Sequence, residues 1–131
     1  MKKNILAVLI AAALCLGLLP VTAFADPVPV DIWTNYAAES FNAGSGTVED
    51  PYQIATAEQL AKLANDVNGG TSYDNTYFVL TSDIDLSAHR WKPIGISIWY
   101  DTGATTRKWF AGSFDGGNHV ISGMYVDESA D

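Results

Sequence analysis

The chain has little cysteine and little positive charge. Its one cysteine, Cys15, lies inside an N-terminal apolar run. The 131 residues contain 7 Lys and Arg against 15 Asp and Glu, and two of the basic residues, Lys2 and Lys3, belong to the same N-terminal segment. We therefore expect no disulfide framework and no thiolate metal site in the rest of the chain. The acidic balance also argues against nucleic acid and anionic lipid surfaces as partners.

The first 25 residues have the pattern of a signal peptide. Lys2 and Lys3 precede an apolar run over residues 5–19, and Ala23-Phe24-Ala25 has the small-x-small form that signal peptidase recognises. The run is shorter than the ~20 residues that span a bilayer, and no later stretch qualifies. The sequence predicts a signal peptide over residues 1–25 and a secreted or cell-surface protein, with no membrane contact after cleavage.

Residues 26–46 are predicted to form an extended lead-in or linker. The alternation of proline with apolar residues in Asp-Pro-Val-Pro-Val at 26–30 favours extended backbone. Residues 43–46, Ala-Gly-Ser-Gly, form a flexible break. We therefore expect the packed domain, residues 47–131, to begin near Thr47.

A helix is predicted over residues 57–67. Thr56 stands three residues before Gln59, which is the Thr-x-x-Gln form of a capping box. Asn68-Gly69-Gly70 ends the pattern, since Asn and Gly tolerate the left-handed conformation that closes a helix. The apolar positions at helical spacing are Ala57, Leu60, Ala61, Leu63, Ala64 and Val67.

The rest of the chain has strand patterns. Period-two alternation over residues 77–86 indicates one strand, or two strands with a kink near Ser82. Its apolar face carries Phe78, Leu80, Ile84 and Leu86, and Trp91, Pro93 and Ile94 are expected to return to the core.

Two further stretches follow. Residues 96–108 indicate a hairpin or an exposed loop. In residues 109–126 the apolar positions change parity at Gly123, which predicts a bent strand after an Asp-Gly-Gly-Asn turn.

Three stretches of the chain carry a family resemblance: EDPYQIATAEQLAKLANDVN, YFVLTSDIDLSAHRWKPIG and FAGSFDGGNHVISGMYV. Together, over residues 47–126, they resemble the segment that precedes and opens the GLUG-motif repeats of bacterial surface proteins. The turn Phe-Asp-Gly-Asn-Gly-His of that group is Phe-Asp-Gly-Gly-Asn-His here, at 114–119, and either order accepts positive φ. The Gly-Leu-Phe-Gly-type repeats that name the group do not occur in these residues.

The resemblance implies a mainly β fold: the helix-containing N-terminal cap and first coil of a right-handed parallel β-helix. Such a coil buries its apolar face against the next coil, and about three repeats are normally needed for stability. We therefore expect either a longer protein with further coils beyond Val126 or a packing partner at that edge. Members of the group are adhesin-like or surface-attached proteins, which implies attachment to a glycan or a cell-surface protein rather than a reaction.

Several acidic residues allow two interpretations. Asp83 and Asp85 could form a calcium or paired-carboxylate site, but calcium needs six to eight oxygens. We favour carboxylates that accept backbone N–H groups at a corner of the fold or simply face water. For Asp115, in the turn with Gly116, Gly117 and Asn118, we favour an Asx-type bond to the backbone.

No catalytic frame is recognisable. No Gly-x-Ser-x-Gly elbow surrounds a serine, so neither His89 nor His119 is expected to act in a Ser-His-Asp triad. His119 is expected to hydrogen-bond within its turn. We expect no cofactor and no metal. The sequence thus favours a non-catalytic exported module with an adhesion or scaffold role.

A loop rich in aromatic residues supports an alternative function in carbohydrate recognition. Trp99, Tyr100 and Trp109 could stack on sugar rings, although burial at the edge of the core is the preferred interpretation. Arg107 and Lys108 beside them are interpreted as solvated charges. The alternative function is therefore a carbohydrate-binding or carbohydrate-active β-helix domain that uses this loop.

Overall fold

The computed structural model describes residues 28–99 and 105–127. The predicted signal peptide, with its cleavage residues Ala23 and Ala25, lies outside the described residues, as does Tyr100. The described part is mainly strands with a single α-helix. Its elements, in chain order, are a 3₁₀ turn (Trp33–Tyr36), β1 (Tyr52–Ile54), α1 (Ala57–Gly69), β2 (Tyr77–Leu80), β3 (Ile84–Asp85), β4 (Ile96–Trp99), β5 (Thr105–Lys108), β6 (Ser113–Asp115) and β7 (Ile121–Ser122).

Five of the strands pair in parallel. β1, β2 and β6 form a sheet in that order, with Phe78 beside Tyr52 on one side and Phe114 on the other. β3 and β7 form a second parallel pair, with Ile84 beside Ile121. β1, β2 and β3 thus each pair with a strand that comes later in the chain. We call β2 with β3 the inner rung and β6 with β7 the outer rung.

Helix α1 follows the sequence pattern closely. The Thr56 hydroxyl accepts from the Gln59 N–H at 3.4 Å, and the Gln59 side chain accepts from the Ala55 N–H at 2.8 Å. At the other end Gly70 adopts φ 116°, and the helix ends at Gly69, two residues beyond the predicted end. All six predicted apolar positions are buried, which confirms the predicted inner face.

The inner rung supplies the other half of the core. Its four apolar positions, Phe78, Leu80, Ile84 and Leu86, are all buried. β2 ends at Leu80 and β3 begins at Ile84, so the two-strand alternative is correct. Trp91 is also buried. The prediction that Pro93 returns to the core is wrong, because that residue is exposed.

The segment before Thr47 also contributes to the packing. Trp33 is buried, and its indole N–H donates to the Leu86 carbonyl at 2.9 Å. Phe41 packs on the edge of the core, with its ring 5.2 Å from that of Phe78. Packing therefore begins earlier than the sequence suggests, because isolated aromatic residues without periodicity give no local signal of burial.

The same segment covers the edge of β1. The Asn42 N–H donates to the Gln53 carbonyl, and the Gln53 N–H donates to Ala43, which makes an antiparallel bridge. A glycine is required next to this bridge, since Gly44 has φ 92° and a Cβ there would lie 2.0 Å from the Pro51 oxygen. The N-terminal end of the parallel stack is thus closed by the chain itself.

Candidate binding surfaces

The corner of the inner rung holds the outer rung through Asp83. One oxygen of Asp83 accepts from the Val120 N–H at 3.0 Å and contacts Nδ1 of His119 at 3.1 Å. The Val120 N–H, followed by the His119 ring, lowers the pKa of Asp83. Asp83 thus accepts a backbone N–H, as favoured from the sequence. The His119 ring, however, reaches across to Asp83, and only its backbone N–H bonds within the turn, to Gly116 at 2.8 Å.

Asp85 is also engaged with the backbone. Its oxygen accepts from the Ser87 N–H at 2.9 Å, and this bond is the main cause of its lowered pKa. Within residues 28–99 and 105–127, no group of three or more His, Cys, Asp or Glu side chains is arranged to hold a metal ion.

The turn of the outer rung has the predicted Asx geometry. Asp115 accepts from the Gly117 N–H at 2.9 Å. Gly117 and Asn118 both adopt positive φ, 57° and 61°. A Cβ at Gly117 would lie 2.5 Å from the Leu80 oxygen, so this turn is pressed against the inner rung. Asp115, Gly116, Gly117 and Asn118 therefore form a structural joint.

The two histidines lie in different surroundings. The His89 ring is stacked on Tyr36, with centroids 4.2 Å apart, and meets the edge of Trp33. His119 lies at the corner with Asp83. Among the contacts of the described residues, His119 meets Asp83 and His89 meets Tyr36 and Trp33, and neither ring meets a serine as a triad would require.

The outer rung leaves apolar surface uncovered. Phe114 is 38% exposed, whereas Phe78, one strand inward, is 1% exposed. An open cavity of about 350 Å³ runs from this surface to the helix, with Leu60 and Leu63 on its inner side. The exposed apolar residues at this end are Phe114, Val120, Met124, Tyr125 and Val126.

In chain order, a hairpin lies between the inner rung and the outer rung. β4 and β5 pair antiparallel, which confirms the hairpin alternative, with Ser97 opposite Arg107. Asn68 at the end of α1 anchors it: its side chain accepts from the Gly95 N–H at 2.8 Å, and its carbonyl accepts from Nζ of Lys108 at 2.6 Å. A cation at a helix C-terminus also complements the helix dipole.

The predicted aromatic residues lie on and beside this hairpin. Trp99 ends β4, opposite Thr105, and Trp109 directly follows β5. The sequence favoured burial of Trp109 at the edge of the core. That interpretation is wrong, because the side chain is 62% exposed. The hairpin strands hold Trp109 away from the packed interior.

Two proteins show detectable sequence similarity to the chain. A halomucin of Haloquadratum walsbyi is 39% identical over 95 residues, which cover 66% of this chain and 1% of that protein. A Gly-rich membrane protein of Evansella cellulosilytica is 30% identical over 95 residues, which cover 68% of this chain and 9% of that protein. The chain thus spans only a small part of the length of these relatives.

No protein-family model matches the chain, and no solved structure matches it significantly. In residues 28–99 and 105–127, no helix has the length and apolar character that a membrane crossing requires.

Proposed function

We propose that the chain is a non-catalytic exported module of a bacterial cell-surface or secreted protein, with an adhesion or scaffold role. In this proposal, it forms the N-terminal cap and first coil of a right-handed parallel β-solenoid of the GLUG-motif kind. The observation that carries the proposal is the parallel pairing of β1, β2 and β6 in chain order. Stacking of successive parallel strands in this way is the construction principle of solenoids.

The unequal ends of the stack give further support. The edge of β1 is closed by Ala43, whereas the outer rung has no further strand beside it among the described residues and exposes apolar side chains such as Phe114 and Met124. An open apolar edge of this kind favours the addition of another strand. A further strand in the same register would lie beside Phe114 as Phe114 lies beside Phe78.

The proposed location rests on the N-terminal pattern and on the relatives. Residues 1–25 fit a signal peptide, and one relative is named as a membrane protein. Expression of the whole open reading frame in a bacterium should give an exported protein whose N-terminus, read by mass spectrometry, is Asp26. An N-terminus at Met1 in the cytoplasm would contradict the export.

The coding sequence that follows the codon of Asp131 in the genome tests the module proposal. We expect it to continue into further coils of the Gly-Leu-Phe-Gly type. A stop codon at that point would overturn the solenoid module and leave a separate packing partner for the open edge. Turnover of a polysaccharide or peptide by the purified protein, abolished in Asp83→Asn or Asp115→Asn, would overturn the non-catalytic role.

A carbohydrate-binding domain remains the second candidate. The exposed Trp109 at the base of the hairpin favours it, since a free indole face can stack on a sugar ring. In this case, Trp109→Ala should weaken binding on a glycan array and leave the thermal unfolding midpoint unchanged. If the variant instead unfolds, the indole is part of the core.

A further inference from the structure

More than half of the basic residues of this acidic chain lie in one stretch of the sequence. Four of the 7 Lys and Arg lie between Arg90 and Lys108, and the one acidic residue in that range is Asp101. The other three, Lys2, Lys3 and Lys62, are spread over the remaining sequence with the other 14 acidic residues. Arg107 and Lys108 belong to β5, whereas Arg90 precedes the hairpin and donates to the Asp127 carbonyl at 3.2 Å. The strands β4 and β5 thus carry two basic residues and no acidic one.

The hairpin takes no part in the parallel pairing of the two rungs. It inserts between β3 and β6, it is antiparallel, and it is fixed to the body of the molecule through Asn68. Insertions of this kind in repeat architectures leave one face of the array and often carry its binding surface. The hairpin thus has the position of a binding element held by a rigid scaffold.

One face of the hairpin combines charge with an exposed ring. Thr105, Arg107 and Trp109 alternate along β5 and just beyond it, so they share a face. Arg107 and Ser97 are directly opposite and both exposed. Beside them lies an open cavity of about 520 Å³, lined in part by Arg107, Lys108 and Trp109.

The two basic side chains of β5, Arg107 and Lys108, differ in their surroundings. Lys108 is half-buried, and its ammonium group is bound to the carbonyl at the end of α1, so it holds the hairpin in place. Arg107 points to the other face and is exposed, with its guanidinium available to an external anion. A guanidinium presents paired donors that match a planar carboxylate, and such charge-assisted bonds are the strong ones.

We propose that this hairpin face binds a carboxylate-bearing polysaccharide, with Arg107 bonded to a uronate carboxylate and Trp109 stacked on an adjoining sugar ring. The Ser97 and Thr105 hydroxyls lie on the same face, where they can bond to sugar hydroxyls. This ligand adds to the proposed surface module and rests on it only for the extracellular setting.

Titration of the purified protein with polygalacturonate tests the inference, and fully methyl-esterified polygalacturonate is the uncharged ligand control. We expect binding to the acid form, with affinity about fivefold lower for the ester, because the ester offers no charge to the exposed Arg107 guanidinium. Arg107→Gln should lower the affinity for the acid form by about the same factor, and Trp109→Ala should lower it as well. Raised salt should weaken the binding.

The control variant is Lys62→Gln, which removes one positive charge on α1, where Lys62 pairs with Asp66 at 2.9 Å. It should leave the affinity unchanged, and the thermal unfolding midpoint of each variant verifies folding. Equal affinity for acid and ester, equal loss in Lys62→Gln and Arg107→Gln, or absence of binding would overturn the inference. Equally tight binding of dextran sulfate would also overturn it, by showing a surface for polyanions in general. None of these results bears on the genomic test of the module.

Discussion

The inner and outer rungs are built alike and differ in what lies next to them. Phe78 is flanked by strands on both sides, and its ring meets four others, those of Phe41, Tyr52, Tyr73 and Phe110. Phe114 has the equivalent place in the outer rung but a neighbouring strand on only one side. Ile84 and Ile121 repeat the contrast, one buried and the other half-buried. Burial in this fold therefore depends on the presence of a next rung as much as on the apolar pattern.

This difference teaches how stability is distributed in a stack. The inner rung gains from contacts with α1, β1 and the outer rung, whereas the outer rung gains from one side only. In repeat architectures stability is approximately a sum of the terms within a repeat and those between neighbours. We expect the outer rung to be the weaker of the two, and the following comparisons are ordered by the size of the expected effect.

The largest difference is expected between Phe78→Ala and Phe114→Ala. Removal of the Phe78 ring leaves a cavity among four aromatic neighbours and should lower the free energy of unfolding by about 3–5 kcal/mol. The loss for Phe114→Ala should be about 1 kcal/mol, because part of that ring already contacts water. Urea denaturation of both variants measures the difference. Equal losses would mean that the outer rung is as well packed as the inner.

The turn of the outer rung offers a matched pair of glycine substitutions. Gly117→Ala should cost about 1–3 kcal/mol, because the residue has φ 57° and its Cβ would meet the Leu80 oxygen. At Gly116 no atom lies within 4 Å of the added Cβ, so Gly116→Ala is the control with little expected loss. The same urea experiment measures both. A harmless Gly117→Ala would contradict the close contact of the turn with the inner rung.

The smallest effect is expected at the corner that joins the rungs. The pKa of Asp83 is lowered in the folded state, so its bonds to Val120 and His119 contribute stability above the pKa of an unfolded aspartate. This contribution is lost as the pH falls through the lower, folded-state value. Asp83→Asn should therefore weaken the acid dependence of the thermal unfolding midpoint below about pH 4. An unchanged profile would show that Asp83 does not hold the outer rung.

Local structure could be predicted well from the sequence. The cap at Thr56, the six buried positions of α1 and the alternation from Phe78 to Leu86 are all set by neighbours a few residues apart. The Asx bond of Asp115 is equally local, and it is present. In each case the residues that determine the local structure are only a few positions apart in the sequence.

The arrangement of these elements could not be predicted from local pattern. Parallel strand pairing joins residues 26 to 37 positions apart, as in Tyr52 with Phe78 and Ile84 with Ile121. The parallel order of the strands was expected only from the family resemblance. Trp33 has no periodic neighbours, so its burial could not be recognised. Arg107 and Lys108 were interpreted as solvated charges, which is wrong for Lys108, because that side chain is half-buried and its Nζ donates to the Asn68 carbonyl. The pairing of β4 with β5 places Arg107 and Lys108 on opposite faces of the hairpin, and this difference could be recognised only in the structure.

Hydrogen–deuterium exchange tests the difference between the rungs most directly. Mass spectrometry can follow peptides from residues 77–86 and 113–122 in one sample, under conditions that favour the native state. We predict that the inner rung exchanges only through global unfolding, whereas the outer rung exchanges much faster through local opening. For the 131-residue chain on its own, equal protection of the two peptides, or slower exchange of the outer rung, would contradict the conclusion that the described residues cover the edge of β1 and leave the outer rung uncovered.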